Sequence, residues 1–181
     1  MTNLYIRAGA AIALALATGP LIANPMVGGA AMYSTRNIVQ NAVNSKDHTT
    51  LVAAVKAAGL VDTLSGKGPF TVFAPTNAAF GKLPAGTVET LVKPENKATL
   101  TKILTYHVVP GRITAQQIAA MAARHHGTAT YRTVEGDNLR FMKSGKGWVV
   151  EDAKGGKARI TIANVMQSNG VIHVIDSVLM P

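Results

Sequence analysis

The chain has 181 residues, 48% of them hydrophobic and 15% charged, with no cysteine and a formal net charge of +9. That length suits one domain with a short tail, and that apolar content excludes wholesale disorder. Without cysteine there are no disulfides, thiolate metal sites, iron–sulfur clusters or cysteine nucleophile.

The segment Met1–Arg7 ends in a positive charge, Ala8–Ala17 (AGAAIALALA) is apolar or small, and Gly19-Pro20 breaks any helix. A basic start, a short apolar middle and a small-residue exit are the layout of a secretory signal. It is read over residues 1–23, with cleavage after Ala17 or Ala23. The uncharged stretch from Ala8 to Ser34 has the length of a membrane anchor, for which about 20 residues suffice. Pro20, Pro25, Gly28 and Gly29 interrupt it, so cleavage is expected, with no membrane span in the mature form. Residues 24–36 read as a flexible lead-in and residues 37–181 as one domain, exported from the cytoplasm.

Within that domain, Ile38, Val39, Ala42 and Val43 recur at helical spacing. Asp47 is placed to cap a second helix with Leu51, Val52, Val55 and Ala58 on one face and Gly59 at its end. Thr63–Pro69 is turn chemistry, and Phe70–Ala74 (FTVFA) is a strand ended by Pro75. Thr76 caps a short helix over Asn77–Phe80. Pro94-Glu95 opens another with Leu100, Ile103, Leu104 and His107 on one stripe. Thr114 caps a helix running through Met121. From Thr128 the period drops towards two: Ala129, Tyr131 and Thr133 share a face, as do Leu139 and Phe141. Gly145/Gly147 and Gly155-Gly156 mark turns. Ile160 and Ile162 point inward, and Asn169-Gly170 signals a tight hairpin. Val171–Met180 is apolar on both faces, which predicts a central strand covered on two sides. Helices first and strands second predict an α+β domain.

The charge is spread. From Asp47 onward there are 15 basic and 9 acidic side chains, leaving +6, with no run of five like charges. Only 9 aromatic residues occur, and none interleaves with basic ones, so nucleic acid is not an expected partner. Between Arg112 and Arg159 nine basic residues meet four acids. That excess either forms a basic face for an anionic surface polymer or is an ordinary solvated surface.

No Gly-x-Ser-x-Gly elbow, phosphate loop or dinucleotide fingerprint is present. Ser168-Asn169-Gly170 reads as a hairpin turn rather than a nucleophile in a turn. Adjacent His125 and His126 point apart and suit an exposed helix end rather than a metal. His107 and His173 lie in apolar strings, the setting of buried histidines satisfied by hydrogen bonds. Asp176, the one acid in an apolar strand, is expected to serve a backbone donor or nearby cation. No catalytic residue, metal ligand or cofactor is assigned, so a periplasmic hydrolase is disfavoured.

Three strings carry a resemblance: Thr71–Phe80 (TVFAPTNAAF), Tyr106–Gly111 (YHVVPG) and Asn169–Pro181 (NGVIHVIDSVLMP). In order and spacing they resemble the signature segments of the fasciclin domain family. The resemblance implies an α+β wedge of about seven strands with a helical layer packed against it. It also implies a secreted or periplasmic location with cell-surface association, and a role in adhesion or protein–protein contact without a cofactor. The chain is similar to short single-domain bacterial members that carry a signal peptide. Tyr106 and His107 match a motif implicated in ligand contact in some animal members, which makes them the candidate binding residues. The helical register aims His107 at the core, so the competing expectation is a scaffold. The expected partner is a cell-surface or extracellular protein or an anionic polymer.

Overall fold

A computed structural model describes residues 24–181; the signal peptide expected over residues 1–23 lies outside the described residues. The first element is a two-stranded hairpin, β1 (Met26–Val27) and β2 (Ala30–Ala31). Gly28 turns it with φ 58°, and its carbonyl accepts from the Lys46 amide at 3.2 Å. A Cβ at Gly28 would run into the Ser45 hydroxyl and the Lys46 and Asp47 amides, so only glycine fits this close approach. Val27 and Met32 are buried in the core. The lead-in expected to be flexible is therefore docked from Met26 onward, its ordering cost offset by those two apolar side chains.

A helical layer follows. Helix α1 (Ile38–Ala42) starts with a full capping box, Asn37 and Gln40 satisfying each other's backbone amides. Helix α2 (Thr49–Ala58) ends on Gly59 at φ 73°. Asp47 does not cap it; a 3-10 turn over Lys46–His48 intervenes. The cap comes from across the fold, where Asn77 Oδ1 accepts the Thr50 amide at 3.0 Å and the Thr49 hydroxyl at 3.2 Å. Next come α3 (Val61–Ser65), β3 (Phe70–Pro75), and α4 (Asn77–Gly81), which Thr76 caps as expected. Helix α5 (Thr87–Leu91) leads to α6 (Lys97–Tyr106) and β4 (Val108–Pro110). Helix α7 (Ala115–Arg124) is capped by Thr114 in a second capping box with Gln117.

The strand-rich half holds β5 (Thr128–Arg132), β6 (Asn138–Ser144), β7 (Gly147–Glu151), β8 (Lys157–Gln167) and β9 (Gly170–Ile175). They join β3 and β4 in a seven-stranded sheet of order β4-β3-β9-β8-β7-β6-β5. Every neighbouring pair is antiparallel except β3 and β9. The two outermost strands curl towards each other, and the Val134 amide, just past β5, donates to the Val108 carbonyl of β4 at 2.7 Å. The sheet is thus a near-barrel.

Strand alternation divides the core. Val72, Ala74, Ile172 and Val174 face the helical layer with Leu51, Val55, Leu100 and Leu104. Phe73 and Ile175 face the barrel interior with Phe141, Leu139, Val150 and Ile118. β9 is buried along its whole length between β3 and β8, as its two-sided apolar sequence requires. The turn before it differs from expectation. Gln167 pairs with Gly170, so the loop residues are Ser168 and Asn169, and Gly170 already belongs to the strand. A Cβ at Gly170 would collide with the Phe70 carbonyl, so glycine here serves the close approach of β3.

Candidate functional site

Tyr106 and His107 stand where α6 runs into β4, and their side chains enter different cores. Tyr106 is fully enclosed on the barrel side with Phe73, Ile118 and Phe141. Its hydroxyl donates to the Asn138 carbonyl at 3.2 Å and accepts the Ala153 amide at 2.8 Å. Burial and nearby acids push the phenol above its ordinary range, with the Ala153 amide partly opposing.

His107 is 2% exposed and lies on the helical side. Its Nδ1 is 2.8 Å from the Ile103 carbonyl, which only accepts, and its Nε2 is 3.0 Å from the Leu179 amide, which only donates. These partners fix a neutral ring protonated on Nδ1. Burial lowers its pKa to about 4, against the raising effects of the Ile103 carbonyl and Asp152.

His173 uses the opposite tautomer. Its Nε2 donates to the Ile113 carbonyl at 2.8 Å, and its Nδ1 accepts the Asn164 amide at 3.4 Å, while the ring stacks on Phe73 at 5.5 Å. Burial again holds its pKa below the usual value. In His48, Nδ1 meets Ser45 Oγ at 2.9 Å and Nε2 is buried with no hydrogen-bond partner among the described residues; desolvation lowers its pKa too, against the raising effects of the Ala74 backbone and Asp47. Three buried neutral imidazoles therefore sit in different parts of the fold. Among the described residues, the Ser45 hydroxyl beside His48 is the one hydroxyl bonded to any of these rings, and no carboxylate oxygen hydrogen-bonds to any of the three.

His125 and His126 are exposed at the end of α7, as their adjacency indicated. Asp176 accepts the Arg159 amide at 2.8 Å and lies 3.8 Å from Lys82, matching the structural role expected of it. No group of three His, Asp or Glu is placed to hold a metal among the described residues. Of the basic excess, Arg140 and Lys157 both turn to Glu151 across β6, β7 and β8, and Lys102 pairs with Glu135 at 3.4 Å. That row is partly neutralised; Lys143 and Lys146 remain exposed at the β6–β7 turn.

Two residues organise the fold beyond what the sequence indicates: Asn169 reads there only as a turn former, and Asp152 carries no assigned role. Asn169 is buried, and its amide group makes three bonds to two segments, the start of α1 and the end of α3. Oδ1 accepts the Ile38 amide at 3.0 Å, and Nδ2 donates to the Leu64 and Gly66 carbonyls at 2.8 Å each. Asp152 accepts Lys154 and Gly156 amides on Oδ1 and the Met180 amide on Oδ2. The Asp-x-x-x-Gly spacing is the available signal for the local part of that role, an Asx-type turn; the bond to Met180 is non-local.

A narrow apolar crevice lies behind His107, between α1, α2 and α3 on one side and β3, β4 and the end of α6 on the other. Twelve of its fourteen lining residues are hydrophobic; the others are His107 and Lys56.

A near-closed seven-stranded sheet, a helical layer, and a buried Tyr-His joint between them define an α+β scaffold domain. Residues 46–181 match the model of the Fasciclin domain, and the chain belongs to that family. It is 52% identical to protein sll1483 of Synechocystis sp. over 86% of this chain and 79% of that one. It is 34% identical to immunogenic protein MPB70 of Mycobacterium bovis over 98% and 93%. Cell surface glycolipoprotein MPB83 of the same species is 39% identical, but the match covers 67% of this chain and 48% of that protein. Among solved structures, a FAS1 domain pair from the insect cell adhesion molecule Fasciclin I superposes with a TM-score of 0.71 at 18% identity. That match covers 81% of this chain and 51% of the pair, and establishes the fold alone.

Proposed function

We propose that the chain is an exported adhesion or protein-interaction module that works without catalysis at the cell surface or in the extracellular space. The carrying observation is its membership of the fasciclin family, with relatives and neighbours named for the cell surface and for cell adhesion. The burial of Tyr106 and His107 refines that reading. Both side chains are spent on hydrogen bonds inside the scaffold, so they shape a contact surface from beneath rather than touching the partner. The partner is a surface or extracellular protein. Export rests on Arg7, the apolar run Ala8–Ala17 and the small residues at Ala15 and Ala17.

Two measurements test the proposal. Mass spectrometry of the protein from its native host should find a start at Thr18 or Asn24, and a soluble cytoplasmic pool with Met1 intact would refute export. The full chain, tagged and cross-linked on intact cells, should capture a surface protein reproducibly. Turnover of a polymer substrate by the purified chain would instead favour an enzyme.

A further inference from the structure

Among the described residues, the one buried side-chain nitrogen or oxygen without a hydrogen-bond partner is Nε2 of His48, in a ring 3% exposed. The ring lines a cavity of about 30 Å³ whose walls, Ser45 and His48 apart, are apolar. One wall is the N-terminal hairpin, through Val27 and the adjoining Met32. The hairpin tip rests on the serine that also meets the ring. A Cβ at Gly28 would strike the Ser45 hydroxyl, which lies 2.9 Å from Nδ1 of His48. The charged or titratable groups on the elements around the ring are Lys46 and Asp47 on its own turn, Lys56 on α2, and Tyr33 just after β2, all exposed. Helices α1 and α4 and strand β3 carry none, and His173 of β9 lies on the other face of the sheet, against Phe73.

A neutral ring suits this place and a charged one does not. An imidazolium donates from both nitrogens. Nδ1 would then need the Ser45 hydroxyl as its acceptor, Nε2 would have none, and an apolar cavity solvates the charge poorly. Charging the ring therefore requires opening a wall to water. The hairpin is the wall held least. Its strands have two residues each and pair only with each other, an arrangement that is marginal by itself. One backbone bond joins it to the turn, from the Lys46 amide to the Gly28 carbonyl, and Tyr33 beyond it exchanges two bonds with Asn41. The other walls are helices α1 and α2 and strands inside the seven-stranded sheet. We propose that the hairpin is an acid-operated strap: protonation of His48 releases residues 24–33 from the domain while the rest stays folded. The proposal does not depend on the adhesion reading.

The direction follows from where the proton binds. Released, the ring meets water and titrates near its ordinary 6.5; docked, burial holds it lower, over the opposing effects of the Ala74 backbone and Asp47. The released state takes up the proton first, so release grows as pH falls below 6.5, by up to about 10-fold per pH unit. Amide hydrogen exchange of the full chain at pH 7 and pH 5 tests this, with rates corrected for the intrinsic pH dependence of exchange. Protection of the Met32, Tyr33 and Lys46 amides should fall by roughly 10-fold between the two, and by more than that of the Ile172 and Val174 amides in β9. His48→Phe, which takes up no proton, should abolish the extra fall; His48→Gln, which keeps a polar partner for Ser45, serves if the first variant does not fold. Hairpin amides that lose no more protection than those of β9 would overturn the strap. An extra fall that survives in a folded His48 variant would overturn the role of the ring.

Discussion

The Leu179 amide donates to Nε2 of His107 across 72 positions of sequence, at 3.0 Å. The opposite ring nitrogen holds the Ile103 carbonyl, so one imidazole clamps the last turn of α6 to the C-terminal segment. Replacing His107 with Ala leaves a buried amide unpaired and opens a cavity. The expected cost is roughly 2–4 kcal/mol, which lowers Tm by about 4–15 °C for a domain of this size. Partner binding should fall only in step with the unfolded fraction. A variant with wild-type Tm and no partner binding would show that His107 is a contact in its own right.

Acid should unfold the protein through the same group. His107 is held at about 4 when folded and returns to about 6.5 when unfolded. Between those values the unfolded chain binds the extra proton, so stability is fully present above about pH 6.5 and falls as pH drops towards 4. The loss from this residue is on the order of 3 kcal/mol. His48 and His173, also lowered by burial, act in the same direction. Urea denaturation at pH 7 and at pH 4.5 should show it, and His107→Gln should flatten the profile. An unchanged pH slope in that variant would remove His107 from the account.

Asn169 gives a sharper chemical test. Asn169→Ala removes one acceptor and two donors from buried segments, an expected loss of roughly 2–4 kcal/mol. Asn169→Asp keeps the acceptor for the Ile38 amide but aims a carboxylate at the Leu64 and Gly66 carbonyls. At neutral pH the aspartate variant should therefore be no more stable than the alanine one, despite its closer shape. An aspartate variant of wild-type stability would show that the two carbonyl contacts contribute nothing.

The docked hairpin makes a prediction about domain boundaries. A chain starting at Asn37 loses buried Val27 and Met32 and the Tyr33–Asn41 bonds, and should be less stable than residues 24–181 by roughly 3 kcal/mol or more. Chemical denaturation of the two chains compares them directly. Equal midpoints would mean that the hairpin is an ornament.

Much of this architecture is legible in the residues themselves. Thr76 and Thr114 cap helices because their hydroxyls reach an amide three positions on, a local event that sequence reports faithfully. The stripe Leu100, Ile103, Leu104, His107 announced a buried imidazole, and Asp176 its backbone donor. What stayed hidden was carried by distant partners. Asp47 looks like the cap of α2 until Asn77 arrives from α4 to take the role. Asn-Gly looks like a turn until β3 crosses Gly170 and Asn169 turns inward. Val27 and Met32 lie in a string rich in Gly and Pro, and nothing local says that a core waits for them. The crevice is the same kind of object: Val39, Val52 and Val61 each belong to a plausible helix face, and only their meeting leaves a gap.

The bond from Val134 to Val108 reaches beyond the shape of the sheet. An open sheet edge is a row of unpaired amides and carbonyls that invites another strand, from a partner or from a second copy of the same chain. Here one edge strand has three residues and ends in Pro110, and its free side is already engaged by the chain leaving the other edge strand. Strand addition to this rim would first have to break that bond. The rim is thereby guarded against pairing with copies of the same chain, and on the proposed adhesion reading a partner would be recognised by side chains on the outer faces and helices.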